Sequence, residues 1–180
     1  DAFSGSNVVS RMFSYKASEL YVNDMELYVY IMSYCNFTNP LPEDEKKIRQ
    51  HIDKMNILAQ DGPYFEDGFI SKLYAPQSTN DIKEDERCFY TRENALIIDT
   101  LRKYIDDEVE ERLQNYCLAA LLIKASIHTN TAGVFKGFYK NDGIGCWGGK
   151  GENALSRIKK NIILEMPVFN FKNKYTPYIF

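Results

Sequence analysis

The sequence is poor in residues that bind metals or form disulfide frameworks. It has four cysteines and two histidines in 180 residues, and no two cysteines stand in a CxxC pair. Structural metal sites usually need closely spaced ligands, and disulfide-bonded domains are richer in cysteine. The composition therefore predicts reduced thiols, no metal site and a cytoplasmic protein.

Long apolar runs are also missing. The longest, CLAALLI, ends at Lys124 and is far shorter than the ~20 residues that a transmembrane helix needs. The sequence thus predicts no membrane partner. Its apolar fraction of 44 % is nevertheless enough for a substantial core, so we expect one domain, or one domain with an inserted piece.

Two common nucleotide-binding fingerprints are absent. Lys150 follows a glycine, but the first glycine of a phosphate-binding loop would fall at Ile144, and Gly151 stands where Ser or Thr would bind magnesium. The GxGxxG fingerprint fails because Asn7 replaces its second glycine. The sequence therefore excludes a P-loop nucleotide triphosphatase. The segment GIGCWGGKG is expected to be a loop, with Trp147 either a core anchor or a surface on which a base stacks.

Hydrophobic periodicity predicts a mixed α/β fold. Residues 7–15 are expected to form a helix with Val8, Val9, Met12 and Phe13 on one face. ELYV is expected to form a strand, and MELYVYIMSYC a buried helix. This order is typical of the start of a doubly wound sheet.

The middle of the chain is predicted to be helical. Helices are expected over 43–60, over 92–106 with Thr91 as the cap, and over 108–126. The last should bury Val109, Leu113, Tyr116, Ala120 and Ile123. Residues 74–87 are expected to form a loop, and ENALSRIKKNIILEMPVF a short helix that runs into a strand.

Gly5 and Asp24 have a spacing that is typical of an adenine nucleoside site. A glycine turn before a helix lets the backbone approach a ligand, and an acid after the next strand accepts hydrogen bonds from ribose hydroxyls. The two residues are 19 positions apart, close to the ~20 expected in such folds. The alternative is a strand-to-helix turn that packs and binds nothing.

Positive charge is concentrated near the end of the sequence. From residue 131 to 180 there are eight Lys or Arg against three Asp or Glu, whereas the first 130 residues have 14 against 22. Such asymmetry favours a phosphate-rich partner for the basic part, and a solvated face is the alternative.

Several segments resemble the adenine-N6 DNA methyltransferases of restriction-modification systems, in the group whose cofactor motif precedes the recognition region. DAFSGSNVV resembles their first motif and LYVNDMELY the second. CFYTRENALIIDTLRKYID, ASIHTNTAGVFKGFYK and GGKGENALSRIKKNIILEMPVF resemble segments that precede the catalytic motif. The resemblance covers most of the chain.

The resemblance implies a partial Rossmann-like methyltransferase sheet with a largely helical recognition region, and S-adenosylmethionine as the cofactor. Residues 1–38 would start the cofactor-binding core, 39–160 would include the DNA-recognition segment, and 161–180 would return toward the catalytic core. The cofactor-binding residues it implies are Asp1, Phe3, Ser4, Gly5, Ser6, Asn23, Asp24 and Met25. Residues proposed to neutralise the phosphates of double-stranded DNA are Lys136, Lys140, Lys150, Arg157, Lys159 and Lys160.

The catalytic motif of these enzymes, Asp or Asn followed by Pro-Pro and an aromatic residue, is not in the sequence, which has no Pro-Pro. The chain is therefore expected to be the middle of a methyltransferase whose catalytic motif would follow Phe180, with the missing catalytic portion or a cognate restriction endonuclease as further partners. The alternatives are a catalytically inactive or split binding module, and a methyltransferase that acts on RNA or a small molecule.

Overall fold

Helices dominate the part of this protein that the structure describes, and two small sheets there complete a mixed α/β fold. The computed structural model describes residues 1–131, 137–149, 154–169 and 175–180. In chain order the elements are α1 (Val8–Ser14), β1 (Glu19–Val22), α2 (Leu27–Phe37), α3 (Pro42–Asp61), α4 (Phe69–Leu73), α5 (Arg92–Glu108), α6 (Glu111–His128), β2 (Lys140–Asn141), β3 (Ile144–Gly145), α7 (Leu155–Lys159) and β4 (Thr176–Ile179). Among the described residues, no helix has both the length and the apolar character needed to cross a membrane.

The chain forms two compact units. Unit 1 consists of Asp1–Ile52, Val109–Leu122 and Glu165–Phe180, and unit 2 consists of Asp53–Glu108 and Ile123–Leu164.

The sheet of unit 1 pairs β1 with β4 in parallel, with Glu19 opposite Thr176 and Val22 opposite Ile179. One face of the sheet is apolar, because Leu20 and Val22 are buried there with Phe37. A parallel pair of strands with helices around it agrees with the predicted α/β class, although the sheet that the structure describes here has two strands.

The first helix differs from its predicted packing. Val8, Val9, Met12 and Phe13 are each more than half exposed, whereas Ser10 and Ser14 of α1 are buried. The Ser10 hydroxyl donates to the carboxylate of Asp1 at 2.6 Å, so the buried side of α1 is held by small polar residues.

Unit 2 is organised around α5, whose buried stripe was predicted. Ala95, Ile98, Leu101 and Ile105 are all buried, as their spacing along one helical face requires. Thr91 is the cap that was predicted, since its hydroxyl accepts the amide of Asn94 at 3.2 Å.

The helix α6 was also predicted, but its burial was overestimated at one position. Leu113, Tyr116 and Ala120 are buried, as is Val109 just before the helix. Ile123, in contrast, is 41 % exposed. The run CLAALLI supplies apolar residues around the whole helix, more than one packed face can cover.

The strand predicted after α7 is not formed. Residues 161–164 alternate between exposed and buried, with Ile162 and Leu164 inside, yet they belong to no sheet. Their backbone bonds instead to side chains: the Ile162 amide donates to Asn94 Oδ1 at 3.0 Å, and the Leu164 amide to Asn56 Oδ1 at 2.7 Å. Two asparagines thus take the place of a neighbouring strand.

Candidate functional site

The opening segment of the chain pairs with one edge of β1. The amino group of Asp1 donates to the Tyr21 carbonyl at 2.8 Å. The Asn23 amide then donates to the Asp1 carbonyl, and the Ser4 amide to the Asn23 carbonyl, each at 3.0 Å. The partner strand β4 bonds to the intervening residues of β1, since the Phe180 amide donates to the Val22 carbonyl at 3.0 Å. The opening segment and β4 therefore flank β1 on opposite edges.

The loop that follows lies at the carboxyl end of β1. Gly5 has a φ of 45° and Asn7 a φ of 62°, both in the left-handed region that glycine adopts freely and asparagine tolerates better than most residues. This backbone requirement explains how Asn7 can stand where the GxGxxG fingerprint has its second glycine. Its side chain is fully buried and its Oδ1 accepts the Ser33 hydroxyl at 2.9 Å.

Asp24 faces this loop with its carboxylate. Oδ2 accepts the Gly5 amide at 2.9 Å, and Oδ1 accepts the Glu26 amide at 3.1 Å. The Gly5 amide is the largest contribution that lowers the pKa of Asp24; those of Glu26 and Met25 add to it, and burial opposes them. An ionised carboxylate has about four acceptor positions, so this one can accept ligand hydroxyls while it holds the loop.

The other predicted cofactor residues fall into two groups. Ser4 is buried and its hydroxyl donates to the Asn23 carbonyl at 2.9 Å, while Asn23 Nδ2 donates to the backbone of the opening segment at 3.0 Å. These polar side chains shape the loop. Phe3 and Met25, at 82 % and 91 % exposure, and the exposed Ser6 are open to a ligand.

Three residues support this loop without having been predicted as site residues, namely Asn7, Ser10 and Ser33. The sequence indicates Asn7 only as a departure from the GxGxxG fingerprint, and the two serines lie on helices where no motif marks them. Among the described residues, Nδ2 of Asn7 is a buried donor without a hydrogen-bond partner.

The predicted DNA-binding residues that the structure describes lie in unit 2 and have unequal surroundings. Lys140, Lys159 and Lys160 are exposed, and the Lys140 ammonium lies 4.9 Å from the centre of the Phe138 ring. Arg157 instead donates to the carbonyls of Ile127 and, at 2.8 Å, Thr129. Its guanidinium therefore binds the end of α6. Lys136 and Lys150 lie outside the described residues.

Lys140 is carried by a hairpin formed by β2 and β3. Asp142 and Gly143 turn the chain with φ values of 48° and 87°, the combination of two left-handed residues that suits a tight hairpin. The base of the hairpin is held by Asn130, whose Nδ2 donates to the carbonyls of Cys88 and Cys146 at 2.8 Å each.

The base of the glycine-rich segment is anchored by Trp147. The indole of this half-buried residue donates through Nε1 to the Thr79 carbonyl at 2.7 Å. Of the two interpretations that the sequence left open, this contact favours the core anchor.

His128 is buried beside the basic residues. Its Nδ1 lies 2.7 Å from the Arg157 carbonyl. Burial lowers the pKa of His128; the hydrogen bond to Arg157 opposes this, and the charges of Lys124, Arg157 and Lys160 lower the pKa further. The ring is therefore favoured in its neutral form.

Two Type II methyltransferases are similar to this chain. It is 28 % identical over 147 residues to M.CviAII of Paramecium bursaria Chlorella virus 1, and this alignment covers 78 % of this chain and 40 % of that protein. It is 29 % identical over 146 residues to M.NlaIII of Neisseria lactamica, again over 78 % of this chain and 40 % of the relative. The chain thus spans about 40 % of the length of these curated relatives.

Comparison with protein-family models gives no match, and no solved structure matches. The two relatives confirm the predicted resemblance to DNA methyltransferases.

Proposed function

We propose that this chain is part of a site-specific DNA methyltransferase that transfers a methyl group from S-adenosylmethionine to N6 of adenine. The observation that carries the proposal is the hydrogen-bonded pair of Gly5 and Asp24 at the carboxyl end of β1. Ligands of open parallel sheets bind at this end of the strands, and the resemblance to methyltransferases gives the ligand class.

The residues of the opening loop fit this cofactor. The lowered pKa of Asp24 keeps an acceptor ionised for the two ribose hydroxyls. Phe3 precedes Gly5, and Met25 follows Asp24. Both have exposed apolar side chains, which are suited to contact with an adenine ring. S-adenosylmethionine supplies the methyl group when it is bound.

The same proposal assigns a different role to each segment of the chain. Residues 1–38 start the cofactor-binding core of a Rossmann-like sheet, 39–160 include the DNA-recognition region, and 161–180 return toward the catalytic core. Lys140, Lys159 and Lys160 neutralise phosphates of double-stranded DNA. We assign no catalytic residue to this sequence, because it has no Pro-Pro motif. A restriction-modification system in the cytoplasm, with its endonuclease, is the expected setting.

Binding of S-adenosylmethionine tests the cofactor site. Calorimetry should show that Asp24→Ala weakens binding by roughly tenfold or more, because a hydrogen bond to a charged group is lost at the ribose. Glu26→Ala is the matched control: it removes an exposed acid two residues away and should bind like the wild type. Equal losses in both variants would mean that only the net charge matters.

A second candidate is a split or inactive module that binds DNA and cofactor without catalysis. The two are distinguished by methyl transfer from labelled cofactor to duplex DNA, with and without a polypeptide that carries the missing motif. Transfer only with that polypeptide indicates a split enzyme, and binding without transfer in either case indicates an inactive module. Cofactor binding with transfer to RNA or a small molecule, but not to DNA, would contradict the substrate.

A further inference from the structure

A buried asparagine organises the segment that carries two of the basic residues. Asn94, in the first turn of α5, is fully buried. Its Nδ2 donates to the carbonyls of Ile158 and Lys160 at 3.1 and 3.0 Å, and its Oδ1 accepts the amide of Ile162 at 3.0 Å. One side chain therefore binds three backbone groups within five consecutive residues.

The same segment is also fixed by packing. Ile158 and Ile162 are fully buried, while Lys159 and Lys160 between them are exposed. The helix α7 ends at this point, since Lys160 leaves it with extended backbone angles of −69° and 135°. Two exposed lysines thus stand at the end of α7, Lys159 as its last residue and Lys160 just after it, between two buried anchors.

A segment of this kind depends on its side-chain contacts for its conformation. No sheet ladder holds residues 160–162, so the bonds from Asn94 replace the backbone bonds that a strand would make. A buried amide is well suited to this role, because it can donate twice and accept through its oxygen. Without it, the carbonyls of Ile158 and Lys160 would need other donors.

We infer that Asn94 is a positioning residue for DNA binding, which holds Lys159 and Lys160 at a fixed spacing against two phosphates. The inference rests on the proposed DNA-binding function of this chain. Ordering the backbone before binding lowers the entropy lost when the lysines contact DNA. Asn94 itself does not touch the nucleic acid.

The test is a double-mutant cycle in DNA affinity. The affinity for a fluorescently labelled DNA duplex is measured by fluorescence anisotropy at several salt concentrations. The combined variant Lys159→Gln/Lys160→Gln should reduce the salt slope of affinity by about two, since each phosphate contact contributes roughly 0.9. Asn94→Ala should reduce the slope by about one or more. Added to the lysine variant, it should change the slope no further.

Asn56→Ala is the matched control. Asn56 makes the same kind of paired bonds, from Nδ2 to the Leu164 carbonyl at 3.0 Å and from the Leu164 amide to Oδ1 at 2.7 Å, but it does not bind the lysine segment. It should lower the melting temperature and keep the wild-type salt slope. Faster hydrogen exchange at the Ile162 amide in Asn94→Ala provides a readout that does not involve DNA.

Circular dichroism verifies the fold of each variant, and Asn94→Ser, whose hydroxyl can donate one hydrogen bond, replaces Asn94→Ala if the latter does not fold. A wild-type slope in a folded Asn94 variant, or losses that add to those of the lysine variant, would overturn the inference and leave the DNA surface standing. An unchanged slope in the lysine variant, or no binding of duplex by the wild type, would overturn the proposed surface and the inference together.

Discussion

The sharpest stability prediction concerns Gly68, which lies directly against the carboxylate of Asp99. A Cβ added at Gly68 would lie 2.0 Å from Asp99 Cγ and 2.1 Å from its Oδ2, far inside any possible contact distance. The same carboxylate accepts the amides of Ile70 at 2.9 Å and Ser71 at 2.6 Å, at the start of α4. Gly68→Ala must therefore displace Asp99 or move the backbone.

The cost can be worked out from the bonds at risk. Asp99 is buried at 7 % exposure, and a hydrogen bond to a charged group contributes about 1.5–3 kcal/mol. Loss of both bonds would cost about 3–6 kcal/mol, a large part of the 5–15 kcal/mol that is typical of a folded protein. Gly68→Ala should therefore lower the denaturation midpoint sharply.

Urea denaturation followed by the fluorescence of Trp147 measures this effect, because this single tryptophan belongs to the same unit. Gly137→Ala is the control, since a Cβ there meets nothing within 4 Å. Asp99→Gly removes the three nearest atoms, so Gly68→Ala should cost much less in that background. A loss below about 1 kcal/mol for Gly68→Ala alone, or an equal loss in both backgrounds, would refute the argument.

Three further predictions concern local contacts. Thr91→Ala removes the cap of α5 and should lower the free energy of unfolding by about 1 kcal/mol in denaturant titrations; an unchanged midpoint would contradict this role. Asn7→Gly loses only the bond to Ser33, whereas Asn7→Ala also places an unsuitable residue at a φ of 62° and should be less stable by about 1–2 kcal/mol; equal stabilities would show that the backbone is not strained. Because the pKa of His128 is lowered in the folded protein, its contribution to stability is complete above about pH 6.5 and is lost as the pH falls below that value. His128→Gln should flatten the decline in stability between pH 7 and 5, and an identical decline would rule this histidine out as its source.

Amphipathic helices were the most predictable part of this fold. Residues 43–60 and 92–106 were expected to be helical and lie within α3 and α5, because a repeated apolar stripe has one physical solution in water. The helix α1 was also predicted, but its packing was not. The buried side of α1 consists of serines. A prediction from hydrophobic periodicity therefore places the wrong face of this helix in the core.

The opening loop, which we propose to bind the cofactor, was predictable only to the level of its spacing. The separation of 19 residues between Gly5 and Asp24 is typical of a nucleoside site, and the structure adds a hydrogen bond of 2.9 Å between the two residues, which the spacing alone did not predict. The role of Asn7 was not predictable, because the sequence does not show that its backbone has a positive φ. Asparagine is one of the few residues that can replace glycine there. Likewise, a lysine and an arginine have the same charge in a sequence, and only the structure shows that Arg157 is engaged with the end of α6 while Lys159 and Lys160 are exposed.

The failed strand prediction at 161–164 explains why such segments are difficult to identify from one sequence. The alternation of burial expected of a strand is present, with Ile162 and Leu164 inside. Alternation reports which side of an extended backbone faces the core, but it contains no information about what satisfies the backbone amides and carbonyls. Here Asn56 and Asn94 do so from two helices. A strand would have fixed the segment along its whole length, whereas side-chain bonds fix it at separate points. We therefore expect a single substitution at Asn94 to release the lysines and leave the rest of the core in place.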